Sequence, residues 1–243
     1  MIRPAAALAA TAAIVLCASG CETTQELSAK IGRKLGHQSA VAGTTSLGVA
    51  NRDVHVERTA LLGSGGQYAV ALQLTNAGAK AQSNFRVLID VLDAKGRSVY
   101  RNDTKGIEAS IQQLALLPAH ATEWWVDNEV VASGGVPSSV TAAVGASTGA
   151  VPAAVPAITT RGVSASDSFP GPHVSATVDN RSTVAQSELA VYAVALHGSS
   201  VVGAGRGIVP ALAAGASAQV EIPMVGSVDG STISLTVAPT DLG

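Results

Sequence analysis

Two stretches of this chain carry the same pattern about 100 residues apart. The segment "TNAGAKAQSNFRVLIDVLDAKGRSV" lies over "DNRSTVAQSELAVYAVALHGSSVV", with Asn76 on Asn180 at an offset of 104. At that offset Ala81-Gln82-Ser83 meets Ala185-Gln186-Ser187, Val87 meets Val191 and Leu92 meets Leu196. A second block, "LLPAHATEWWV" over "LAAGASAQVEI", places Leu116 on Leu212 at an offset of 96 and leaves the second copy eight residues shorter between the blocks. Two blocks in the same order at one period predict two copies of one domain.

The segments between turns decide the class of that domain. "YAVALQLTN", "FRVLIDVLD", "VSATVDN", "ELAVYAVAL" and "ISLTVAP" are short, rich in Val, Ile and Thr, and partly alternating. Gly, Pro, Asn and Ser clusters separate them, and no amphipathic helix interrupts them. Charged residues make up 13% and aromatics 3%, so the expected core is built from small β-branched residues and alanine with thin packing. The expectation is an all-β chain of tandem, immunoglobulin-like antiparallel β-sandwiches, spanning 45–149 and 150–243. The joining stretch "GASTGAVPAAVPAITT" suits a linker or an edge strand.

Each copy resembles the FxLYD-type family of bacterial envelope domains over about 50 residues. The resemblance rests on Asn76, then Ile89-x-Val91-Leu92-Asp93 with Lys95-Gly96, and on Leu116-x-Pro118, matched in the second copy by Leu212-x-Ala214-Gly215. The central Phe and Tyr of the family are missing, and His197 replaces the aspartate. The resemblance implies a small antiparallel sandwich and no chemistry.

The N-terminus supplies an address. One positive charge, Arg3, precedes the apolar run "PAAALAATAAIVLCASG", and small residues close it, as in a secretory signal. The strongest part of the run, from Ala5 to Leu16, is shorter than the roughly 20 residues of a membrane-spanning helix. Ala18-Ser19-Gly20-Cys21 resembles the lipobox of bacterial lipoproteins. That resemblance implies lipid transfer to the Cys21 sulfur, removal of residues 1–20, and acylation of the new N-terminus. Ala18 stands where the family prefers leucine, so cleavage by an ordinary signal peptidase stays open. Cys17 and Cys21 are the only cysteines, so a lipidated mature chain keeps no free thiol. Residues 21–44 read as a tether: Thr23 and Glu26 have capping-box spacing, and Leu27, Ile31 and Leu35 share a helical face. A helix lying on anionic headgroups through Lys30, Arg33 and Lys34 is the other reading of that segment.

No group of residues in the mature chain forms a reactive constellation. Without the signal it carries 14 basic and 17 acidic residues, which gives no basis for nucleic-acid binding. His37, His55, His120, His173 and His197 are scattered without ligand spacing, so no metal or cofactor is expected. Asp93-Ala94-Lys95-Gly96 reads as a hairpin turn, and "GSGG" at 63–66 and "GAGRG" at 203–207 also read as turns. No serine stands in G-x-S-x-G. Asn102-Asp103-Thr104 and Asn180-Arg181-Ser182 match the glycosylation sequon, which a bacterial lipoprotein leaves idle. At the offset of 96, Trp124 falls on Val220 and Trp125 on Glu221, so alternation predicts Trp124 and Val126 facing the core and Trp125 facing out. Trp125 is then a candidate contact for an envelope protein partner, unless residues 102–110 cover it.

These readings lead to a lipid-anchored envelope protein acting as a non-catalytic binding or structural module. Strand capture at a sheet edge, as by a chaperone, is the alternative, and a hydrolase is a remote one.

Overall fold

The computed structural model describes residues 47–104, 107–151, 154–168 and 170–242. Cys21, the signal at 1–20 and the tether reading of 21–44 lie outside the described residues. The described chain is all-β, and every strand pairing in it is antiparallel.

The first sandwich opposes two sheets. One holds β1 (Val54–Ser64), β2 (Gln67–Asn76) and β6 (Thr122–Asp127); the other centres on β3 (Gln82–Asp93), flanked by β4 (Ser98–Arg101) and β5 (Gln113–Leu117) on one side and β7 (Pro137–Val144) on the other. The β1–β2 hairpin closes on Gly65-Gly66, whose φ values of 58° and 83° require glycine in a two-residue turn. The expected turn at Asp93 is present: its Oδ1 accepts from the N–H groups of Lys95 and Arg97, and Gly96 has φ 74°. Phe85, Val87, Ile89 and Val91 alternate along β3 and fill the core with Val70, Leu72 and Leu74 of β2.

The second sandwich repeats this layout with β8 (Ile158–Ser166), β9 (His173–Asn180) and β12 (Ser217–Gly226) against β10 (Gln186–His197), β11 (Ser200–Leu212) and β13 (Thr232–Val237). Here β12 pairs β9 along residues 217–223 and then crosses to pair β11 through Met224–Gly226, joining all six strands into one order. "GAGRG" is therefore strand β11, not a turn. Its glycines are needed where β12 approaches: a Cβ on Gly205 would sit 2.2 Å from the Pro223 carbonyl oxygen, and one on Gly203 2.4 Å from that of Ser227.

Hydrogen bonds correct the alignment of the two halves. Asn76 Nδ2 donates to the carbonyls of Lys80, Leu117 and Pro118, and Asn180 Nδ2 donates to those of Val184, Leu212 and Ala213. Gln82 pairs with Leu117 where Gln186 pairs with Leu212. The N-terminal block keeps its offset of 104, but Leu117 corresponds to Leu212, so the second block is offset by 95. Because strands have a period of two, that one-residue slip turns every β6 side chain to the opposite face. Trp125 corresponds to Val220 and lies opposite Leu72 with no solvent exposure. The outward assignment of Trp125 is overturned: it is the largest fully buried side chain.

The alternative reading of Trp125, cover from residues 102–110, holds in part: its Nε1 donates to the Ser110 carbonyl at 3.0 Å. That segment interrupts what is continuous in the second half, since β4 and β5 together occupy the place of β11 along their central strand. Asn102 bridges the break. Its Oδ1 accepts from the Ile89 N–H, and its Nδ2 donates to the carbonyls of Val87 and Ile111, replacing ladder bonds that the excursion removes.

Candidate functional site

The two sandwiches meet along a seam. Trp124 and Val126 of β6, with Ala69 and Ala71 of β2, are buried in one apolar cluster with Ala190, Tyr192 and Val194 of β10 and Ala204 of β11. Corresponding positions in the second sandwich, at offsets of 104 and 95, are Ser175 for Ala71, Gln219 for Trp124 and Glu221 for Val126. Gln219 and Glu221 are exposed. One face is thus apolar where it docks and polar where it meets water. Polar contacts lock the register of the seam: the Trp124 N–H donates to Thr236 Oγ1 at 3.1 Å, and Arg58 donates to the Ser199 carbonyl at 2.8 Å while lying 6.0 Å from the Trp124 ring centroid.

Arg206 is the charged centre of the seam. It projects from β11 opposite Tyr192, on the face away from the glycines, and its side chain is 3% exposed. Its two terminal nitrogens donate to Glu108 Oε1 and Ser110 Oγ and to Glu129 Oε1, each at 2.5 Å. Its Nε is buried and has no hydrogen-bond partner among the described residues. Asn128 Nδ2 donates to the Arg206 carbonyl at 3.4 Å. The Ser110 carbonyl accepts from both Trp125 Nε1 and the Tyr192 hydroxyl, so the excursion between β4 and β5 connects one sandwich's core to the other's sheet. Burial raises the Glu108 carboxyl, but the bonds from Arg206 and Ser110 outweigh it and hold the group below the usual carboxylate range.

Beside this clasp lies a buried acid. Asp127 accepts from the Tyr100 hydroxyl at 2.6 Å and from the Glu129 N–H at 2.9 Å. Burial pushes its carboxyl up to about 6 despite those bonds and the nearby Arg206. Burial also raises the Tyr100 and Tyr192 hydroxyls, so both stay protonated donors.

The seam opens at one end into a cavity of about 250 Å³, walled by Asn84, Glu108 and Gln113 from the first sandwich and Glu188, Tyr192 and Ala238 from the second. Asn84 and Glu188 correspond to each other at the offset of 104, and both hold left-handed backbone, with φ of 47° and 48°. Bulky residues in this region are strained. Each falls where the strand pairing skips one pair, between Ser83 and Phe85 and between Ser187 and Leu189.

The structure separates the residues singled out by sequence. Trp125 is core, and Asn102 and Asn180 of the two sequons are buried with their amides bonded, so neither presents a free side chain. Among the described residues no three His, Cys, Asp or Glu side chains converge as for a metal. Arg206, Glu108 and Glu129 were not found by sequence reasoning; the available signal was a lone arginine inside a run of small strand residues. No protein-family model matches the chain, and no curated protein matches it significantly.

Proposed function

We propose that this chain is an exported, lipid-anchored protein of a bacterial cell envelope, whose two related sandwiches form one docked unit that binds or scaffolds without catalysis. In this reading Cys21 carries the lipid, residues 21–44 hold the unit off the membrane, and the seam is the working surface. The observation that carries the reading is the placement of the only two cysteines, Cys17 and Cys21, within and directly after an apolar leader ending in Ala-Ser-Gly. The matched asparagine bonds at Asn76 and Asn180 support descent of the two halves from one domain. The seam supports a binding role, because pockets between domains are common ligand sites.

Strand capture is the weaker reading. The edge strand β8 carries Arg161, Gly162 at φ 62° and a register break between Arg161 and Ser164, all features that blunt an edge against pairing. The test of the anchored reading is intact-mass analysis of protein taken from the membrane fraction. A chain beginning at Cys21 with added acyl mass, converted to a soluble form by Cys21→Ser, is the expected result. An unmodified thiol at Cys21 in membrane-fraction protein overturns it.

A further inference from the structure

We propose that the seam cavity binds an aliphatic cation: an alkylammonium or guanidinium group whose charge rests between Glu188 and Glu108 and whose carbon chain lies on Leu114, Ala190 and Ala238. The hydrogen-bond economy of the wall points to this class. Each hydroxyl on the wall has already given its proton to the protein. Tyr192 donates to the Ser110 carbonyl, Ser110 to Glu108, Ser187 to Asp241, and Thr240 to the Ser187 carbonyl. Glu188 forms no ion pair among the described residues, and Glu108 uses Oε1 for Arg206 and Ser110 while its Oε2 accepts no hydrogen bond from a described residue. Beside the amides of Asn84 and Gln113, the cavity offers carboxylate acceptors over an apolar floor, and a donor-rich cation with a short carbon chain satisfies both. Among the described residues Glu108, Glu129 and Glu188 against Arg206 leave two negative charges around the site, which favours a cationic group. The left-handed backbone at Glu188 is consistent with this role, since glycine there would relieve the strain but lose the carboxylate.

This inference rests on the binding-module reading, yet the two fail separately. A lipid-free Cys21 leaves the cavity's affinity unchanged, and an inert cavity leaves the intact mass unchanged. The test is a calorimetric or NMR titration of the purified full chain with n-butylamine, with neutral n-butanol, and with a capped Gly-Lys-Gly tripeptide. We expect saturable one-to-one binding of an amine probe, weaker by about tenfold or more for butanol and for amine binding to Glu188→Gln, the size of one charge-assisted hydrogen bond. Glu188→Asp, which keeps the charge and tolerates left-handed backbone, should retain binding. Binding of the tripeptide alone identifies the source as a basic side chain of a partner protein; binding of the free amine identifies a small solute. Absence of saturable binding by either amine, or equal affinity in Glu188→Gln, overturns the inference.

Discussion

Removing Arg206 and removing its partners should have unequal consequences. Arg206 is 3% exposed, whereas the side chains of Glu108 and Glu129 are 38% and 57% exposed. In Arg206→Met the two glutamates turn to water, and the methionine keeps much of the apolar stem in the seam, so the loss should be about 1 kcal/mol. The double variant Glu108→Gln/Glu129→Gln leaves a buried guanidinium with no hydrogen-bonded carboxylate and only Asp127 nearby, and its Nε has no partner among the described residues. Stranding a buried charge costs about 3–5 kcal/mol. Each glutamate alone should matter less, because the other still faces the cation and exposed pairs contribute about 0–1 kcal/mol. Urea unfolding of a soluble form of the chain, followed by fluorescence and circular dichroism, measures these differences as shifts of midpoint at constant slope. If Arg206→Met proves the more damaging change, the seam does not depend on neutralising a buried cation, and the reasoning fails.

Three further outcomes follow from other parts of the fold. Trp125→Ala should destabilise the protein by about 3–5 kcal/mol in the same urea assay, the cost of emptying a fully buried aromatic site. His120→Gly should stabilise it by about 0.5–1 kcal/mol by melting temperature, because His120 holds φ 58° in a turn where the other half has Gly215 at φ 70°. Asp127 binds its proton more tightly folded, at about 6, than unfolded, at about 3.9. The folded state therefore holds more protons between these values, and stability should be greatest below pH 4 for this group and fall by roughly 2–3 kcal/mol as pH rises through 6. Asp127→Asn should flatten that part of a stability-versus-pH profile. Glu123, raised by burial to about 7, adds a decline in the same direction up to that pH.

How much was legible in the sequence depended on range. The five strand segments named above and the Asp93 turn follow from local patterns, and the structure shows each of them; Asn76 and Asn180 make matching bonds. The Trp124-Trp125 pair shows where local pattern stops. Leu116-Leu117 in one half faces a single Leu212 in the other, so either leucine fits, and the choice inverts every β6 residue. The asparagine's bond to the Leu117 carbonyl and the pairing of Gln82 with Leu117 resolve it. The seam was hidden for a related reason: Trp124 and Val126 are apolar as core residues are, and nothing local distinguishes a face buried by its own domain from one buried by the next. Arg206 looked like part of a glycine turn because its partners arrive from an excursion nearly 100 positions away.

The account stands on the docking of the two sandwiches through Trp124, and acrylamide quenching of the Trp125→Phe variant tests it most directly, since Trp124 is then the only indole in the chain. With the seam closed, Trp124 should emit at short wavelength and resist quenching until the protein unfolds as a whole. Red-shifted, readily quenched emission from a protein whose β-sheet signal is intact would mean that the sandwiches do not dock on this face.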